Sequence, residues 1–302
     1  MDAFVHQQAA VAAALERPIF FVIGAPKSGT TWVQTLLDGH PEIRCAGEGH
    51  FLDWLGQPLR DLLARYNQRL EFNNRFVYRG DGDYGGYLEE DFRFLIRSAM
   101  GLAWSKLDIA PSVRIMGEKT PLNSYSMAFL ALLFPKCRFI HVVRDGRDAA
   151  ASICHQKLRL GDDPAVQPGS AAWYKFVAAF GHKWVDVIGH SQAWGASHPD
   201  AYCEVRYEDL LTDPEAHLDR VVRFLGVRPD REAVAAMIAH GAFERMSGGR
   251  HRGQGDASSF YRKGVVGDWR QTFDEHAQAI LRAIIADDLL RLGYGDFGLD
   301  SK

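Results

Sequence analysis

Phe20–Trp32 reads FFVIGAPKSGTTW, and the reading of this stretch decides the fold. Ile19–Ile23 is an uninterrupted apolar run, the pattern of a strand buried on both faces. A turn rich in Gly, Pro and Ser follows. Thr31–Gly39 (TWVQTLLDG) then has the stop chemistry of a helix, ending at Gly39 with His40-Pro41 just beyond. In a strand, glycine turn and helix of this kind, backbone N–H groups at the turn and the helix N-terminus form a ready anion site. Gly24 and Gly29 carry the spacing of the loop G-x-x-x-x-G-K-[ST], yet Thr30 stands where that loop has its lysine. Lys27 lies three residues earlier. A phosphate cradle is expected, without the lysine and Mg²⁺ arrangement of a triphosphatase.

The pattern recurs outward from this stretch. Arg138–Val143 (RFIHVV) is a second apolar run, followed by RDGRDAAASI with Asp145 placed to cap a helix. Ala201–Val205 is a third strand candidate. It precedes YEDLL and a helix over Pro214–Leu225 with Leu218, Val221, Val222 and Leu225 on one face. A leading helix is expected over Val5–Glu16 and a last one over His276–Leu292, apolar at Ile280, Ile284, Ile285 and Leu289. Strands alternating with helices predict an α/β fold with a parallel sheet. Phe51–Trp104 is rich in aromatics and charges around a glycine-rich turn (GDGDYGG), while His155–Ser170 and Gly248–Ser259 read as loops. No repeat or linker divides the chain, so 1–302 is expected to be one domain with insertions.

Composition narrows the class. The 302 residues are 47% apolar and 24% charged, with a net charge of −3, values of an ordinary globular protein without the basic excess of a nucleic-acid binder. Cys45, Cys137, Cys154 and Cys203 are widely spaced and read as buried small hydrophobes of a reducing compartment. The N-terminus lacks the basic region of a signal peptide, and no run reaches the length of a membrane span. The expected location is cytoplasmic.

Two further blocks suit anions. Arg144, at a strand end, and Ser152, eight residues on, can reach one phosphate, although an arginine in that position is often simply solvated. Phe260–Trp269 (FYRKGVVGDW) sets Arg262 and Lys263 before Gly264, which suits close backbone approach to a phosphate or equally a basic surface loop.

Taken together and in this order, PKSGTTW, RDGRDAAAS and RKGVVGDW resemble the sulfotransferases that use 3′-phosphoadenosine 5′-phosphosulfate (PAPS). The resemblance runs from about Ile19 to Trp269 and implies a P-loop-like three-layer sandwich, a central parallel sheet flanked by helices. It implies that Lys27, Ser28, Gly29, Thr30, Thr31 and Trp32 form the 5′-phosphosulfate site. Arg144, Ser152, Arg262, Lys263 and Gly264 would form the 3′-phosphate site, and Tyr207 and Phe243 would contact the adenine. No metal is expected, because positioned N–H groups and lysines can stabilise sulfuryl transfer.

The acceptor hydroxyl needs a general base. Cytosolic members of the family use the histidine of a KTH motif, but here Glu118-Lys119-Thr120 is followed by Pro121. Lys27–Glu48 (KSGTTWVQTLLDGHPEIRCAGE) resembles the tyrosylprotein branch, in which the glutamate at this spacing is the base. Glu48 is therefore the expected base, with His50 and then Glu118 as alternatives, and Lys119 is expected to stabilise the transferring group. Residues 51–110 and 155–200 are expected as acceptor-site insertions, with Trp54, Tyr66, Phe72, Phe76, Tyr78, Tyr84 and Tyr87 lining the acceptor or serving as core. The expected acceptor is a hydroxyl of a small molecule, lipid or carbohydrate, with a phenol or peptide tyrosine as the alternative. A non-catalytic nucleotide-binding protein and a P-loop kinase are the competing readings. The K-x-x-x-T-V-x-x-x-E dimer motif of cytosolic members is not matched by RQTFDEHAQA, which leaves the oligomeric state open.

Overall fold

The computed structural model describes residues 2–80 and 82–295. In chain order the elements open with α1 (Ala3–Glu16), β1 (Ile19–Gly24), α2 (Thr30–Asp38) and β2 (Ile43–Ala46). A short π-helical turn (Phe51–Gly56) leads to α3 (Gln57–Phe76) and α4 (Glu89–Trp104). Next come β3 (Ile115–Lys119), a 3₁₀ segment (Pro121–Ser126), α5 (Met127–Leu133), β4 (Arg138–Val143), α6 (Gly146–Leu160) and α7 (Ala171–Ser197). β5 (Tyr202–Arg206) is followed by α8 (Tyr207–Thr212), α9 (Pro214–Phe224), α10 (Arg231–His240) and α11 (Phe243–Ser247). The short α12 (Trp269–Thr272) and α13 (Glu275–Arg291) complete the described chain.

The sheet has the order β2-β3-β1-β4-β5, and every neighbouring pair is parallel. Strand side chains alternate between faces, and here both faces are covered. Phe20 and Val22 of β1 point into a core shared with Leu36 and Leu37 of α2, Leu218 and Val222 of α9 and Met237 of α10. Phe21 and Ile23 point the other way, to Ile96 and Met100 of α4 and Leu130 of α5. A third apolar cluster joins α6, α7 and α13 through Trp184, Ile188, Leu281 and Ile285. The result is the three-layer α/β sandwich expected from the sequence.

β1, β4, β5, α2, α9 and α13 lie where the sequence predicts, within a residue or two. Asp145 caps α6 by accepting from the N–H of Arg147 at 2.9 Å. The four cysteines are free and buried. Other stretches differ. His155–Leu160, expected as loop, continues α6, because Cys154 and Leu158 pack into the third cluster. Residues 171–197, within the expected 155–200 insertion, form α7, with Trp173, Val177 and Trp184 buried. Of the two roles expected for Trp54, Tyr66, Phe72, Phe76, Tyr78, Tyr84 and Tyr87, acceptor lining or core, the core one is not met. All seven are exposed, and α3, which carries Tyr66, Phe72 and Phe76, buries none of its residues and half-buries only one side, Leu59 and Leu63 among it. Asp81, inside the glycine-rich turn, lies outside the described residues.

Candidate active site

A cleft of about 350 Å³ opens at the carboxyl ends of β1 and β4. Its floor is the β1–α2 turn. Gly24 and Gly29 take φ of 150° and 99°, and Lys27 itself takes φ of 68°, the left-handed region that side chains rarely occupy. Gly29 is required twice over, since a Cβ there would stand 2.5 Å from a ring carbon of Tyr207. Among the described residues no side chain caps the N-terminus of α2, which leaves the N–H groups of its first turn directed into the cleft.

Arg144 ties the cleft together. It donates to the Lys27 carbonyl at 3.1 Å and the Val265 carbonyl at 3.3 Å, and its guanidinium lies 4.4 Å from the centre of the Tyr207 ring. Its Nε is buried and without a partner among the described residues. Ser152, two turns along α6, lines the same wall, as do Arg262, Lys263 and Gly264. Arg262 and Lys263 both pair with the buried Asp268, the lysine at 2.7 Å. Asp148 of α6 fixes the far end of this segment by accepting from the N–H groups of Gly267 at 2.7 Å and Trp269 at 3.1 Å. Tyr207, Phe243 and Trp32 contribute aromatic surface, and Trp32 meets Tyr207 edge-on at 5.2 Å.

Lys27 reaches under the ring of Phe260, with its ammonium 4.0 Å from the ring centre. Burial lowers its pKa, nearby Arg144 adds to the effect, and the value falls to about 8. Glu48 lines the same cleft. Lys119 donates to Glu48 Oε1 at 2.5 Å, and His50 Nε2 meets Oε2 at 3.1 Å. Burial pushes the Glu48 carboxyl up, but Lys119 and His50 more than reverse this and hold it below the usual carboxylate range.

Of the predicted site residues, Lys27, Gly29, Thr30, Thr31, Trp32, Glu48, His50, Arg144, Ser152, Tyr207, Phe243, Arg262, Lys263 and Gly264 line this one cleft. Three do not. Ser28 has its side chain fully buried under the turn. Lys119 is buried behind Glu48. Glu118, the third candidate base, faces the interior and accepts from the N–H of Gly49 at 2.9 Å, from the Thr120 hydroxyl, and from Asn123 at 2.9 Å. Its oxygens are engaged in holding the loop that carries Glu48. Sequence reasoning missed Asp148 and Asp268, although both stand in motifs it quoted. It also missed Arg252, which lines the cleft 5.1 Å from Trp32.

A parallel sheet with an uncapped helix and a glycine turn at the end of its central strand defines a P-loop-like α/β protein, with arginine and lysine lining the cleft at that turn. The chain belongs to the sulfotransferase family, whose model matches residues 18–231. Protein-tyrosine sulfotransferase 2 of Gallus gallus is 25% identical over 214 residues, 70% of this chain and 52% of that protein. Sulfotransferase 1B1 of Mus musculus is 31% identical over 268 residues, 82% of this chain and 75% of the relative. Among solved structures, mouse sulfotransferase SULT7A1 complexed with PAP superposes with a TM-score of 0.58 at 17% identity, covering 96% of this chain and 92% of that one. Sulfotransferase STF9 of Mycobacterium avium superposes with a TM-score of 0.55, also at 17% identity, covering 99% of this chain and 82% of that one. The chain spans about half the length of the vertebrate tyrosine sulfotransferases it matches.

Proposed function

We propose that the protein transfers a sulfuryl group from PAPS to the hydroxyl of an acceptor, with Glu48 as general base, releasing adenosine 3′,5′-bisphosphate (PAP). The observation that carries this reading is the meeting, in one cleft, of Lys27 and Glu48 with Arg144, Ser152, Arg262 and Lys263. The residues fit the donor. The unpartnered Arg144 Nε and the open N-terminus of α2 supply anion donors where phosphate oxygens would lie. Tyr207 and Phe243 offer ring faces for the adenine.

Each residue has a definite task in such a transfer. Glu48 accepts the proton of the acceptor hydroxyl as its oxygen attacks sulfur. Lys27 neutralises charge on the bridging oxygen as the bisphosphate departs, and the N–H groups of the α2 N-terminus stabilise the sulfuryl oxygens. Lys119 holds Glu48 in place and keeps it ionised. Pro121, Leu122, Ile153 and Phe260 make the wall beside Lys27 apolar, which suits an acceptor with a hydrocarbon or aromatic body.

The test is an acceptor panel of phenols, lipid alcohols, sugars and tyrosine peptides with labelled PAPS, read by mass spectrometry. Transfer to one class is expected, and Glu48→Gln should lower kcat on it by about 10²–10⁴-fold while PAP still binds. PAP binding with no transfer to any class would favour a non-catalytic nucleotide-binding role.

A further inference from the structure

Sulfuryl transfer as described leaves a proton on Glu48, a carboxylate held below its ordinary pKa and therefore a weak final resting place for it. Behind Glu48 lies an imidazole. His50 Nε2 meets Glu48 Oε2 at 3.1 Å, and His50 Nδ1 meets Asp53 Oδ2 at 2.9 Å. The ring is stacked on Trp54, with centroids 3.8 Å apart and planes within 10°. His50 also takes φ of 48°, a left-handed conformation that residues with a side chain rarely adopt. It immediately precedes the π-helical turn that carries Asp53 and Trp54. The Gly49 N–H bond to buried Glu118 fixes the backbone one residue earlier. The imidazole is thus held on both nitrogens and one face, in a conformation the chain would otherwise avoid.

We propose that Glu48, His50 and Asp53 form a proton relay, in which His50 takes from Glu48 the proton that Glu48 takes from the acceptor. This rests on the reading of Glu48 as the base. In the first step the acceptor O–H bond breaks and a Glu48 O–H bond forms, while the acceptor oxygen bonds to sulfur and the bridging S–O electron pair leaves with the 5′-phosphate. In the second, the proton passes from Glu48 Oε2 to the lone pair on His50 Nε2. Asp53 keeps the other proton on Nδ1, so in the neutral ring Nε2 carries a lone pair that accepts from Oε2 once Glu48 holds the acceptor's proton. The imidazolium loses its Nε2 proton to solvent before the next turnover, a route open because Glu48 and Asp53 are 39% and 48% exposed.

Asp53 favours this direction of transfer, because its charge still faces the ring when Glu48 holds the proton. Burial lowers the pKa of His50, but the bonds to Asp53 and Glu48 outweigh it and leave the value raised, with Glu118 of β3 a further carboxylate nearby. Lys119, on the far oxygen of Glu48, is the cation of the group. An imidazole is a stronger base than the carboxylate in front of it.

The discriminating measurement is the pH profile of kcat, with PAPS and the acceptor found by the panel, for wild type, His50→Gln, Asp53→Asn and Glu48→Gln. Calorimetric PAP binding confirms that each variant is folded. His50 must be neutral to accept, so wild-type kcat rises with pH through a value above the ordinary histidine range. His50→Gln should lower kcat at pH 8 by about tenfold or more and move the acid limb down to the carboxylate range, with little change in acceptor KM. Asp53→Asn should move the limb down by a smaller amount, since the imidazolium loses a counter-charge, and it carries the test if His50→Gln does not fold. An unmoved limb and near-normal kcat in His50→Gln, with Glu48→Gln inactive, would overturn the relay and leave Glu48 as the base. Full activity in Glu48→Gln would remove both.

Discussion

Lys27 shows how a single displaced residue changes the chemistry of a loop. Placed inside the turn rather than at the helix start, it is forced into a left-handed backbone, buried beneath Phe260 and crowded by Arg144. Its pKa near 8 gives it a measurable signature. The ammonium is charged below that value and neutral above it, and a bound polyanion favours the charged form. PAP affinity should therefore be flat from pH 7 to about 8 and weaken above it, by up to about tenfold per pH unit. Calorimetric titrations to pH 9.5 would show this, and Lys27→Met should bind weakly with no such slope. A slope that survives in Lys27→Met would assign the effect to another group. That Lys27 and Glu48 face one cleft was legible in the sequence, for Lys27 from the glycine turn itself and for Glu48 from the resemblance of Lys27–Glu48 to the tyrosylprotein branch. The role of Glu118 was not. It depends on the N–H of Gly49, 69 residues away in the chain, and no local pattern announces that bond.

Among the elements, the segment from Arg262 to Trp269 is held by two carboxylates with different tasks. Asp148 anchors its backbone, whereas Asp268 occupies the two cations that the 3′-phosphate would use. In the proposed donor complex a phosphate would compete with Asp268 for these charges. Asp268→Asn should accordingly lower the melting temperature of the free protein while PAP binds about fivefold tighter, the worth of one partly exposed ion pair. Weaker binding in that variant, measured by calorimetry, would mean that Asp268 aims the two side chains instead of withholding them. Legibility at this scale followed apolar continuity. β1 and β4 are apolar runs and were read directly. β2 (IRCA) and β3 (IMGEK) are short and carry charges that look solvated, yet Glu118 and Lys119 are buried because each has partners. α7 was read as part of an insertion, although Trp173, Val177, Phe180 and Trp184 recur at helical spacing along its buried face.

For the molecule as a whole, the sheet order explains why everything converges at one place. The chain leaves β1, builds β2 and β3 on one side, and crosses to β4 and β5 on the other, so a crevice opens between the connections after β1 and β4. Residues from several parts of the chain line this crevice, so a ligand bound there is expected to stabilise the folded protein as a unit. PAP at a hundredfold excess over its Kd should stabilise the protein by about 2.7 kcal/mol, visible as a single upward-shifted melting transition. Two transitions, only one of them shifted, would show that the clusters melt separately.

Trp32 gives this arrangement an optical consequence. The chain has seven tryptophans, so a spectroscopic signal from any one must be separated from six others. Trp32 lines the cleft, with its N–H bonded to the Gly241 carbonyl at 2.8 Å and the Arg252 guanidinium nearby, whereas Trp104, Trp173, Trp184 and Trp269 are buried in the cores. An arriving polyanion alters the field at this indole far more than at the buried four. The difference in emission between wild type and Trp32→Phe would then report occupancy of the cleft in real time, with neither label nor turnover.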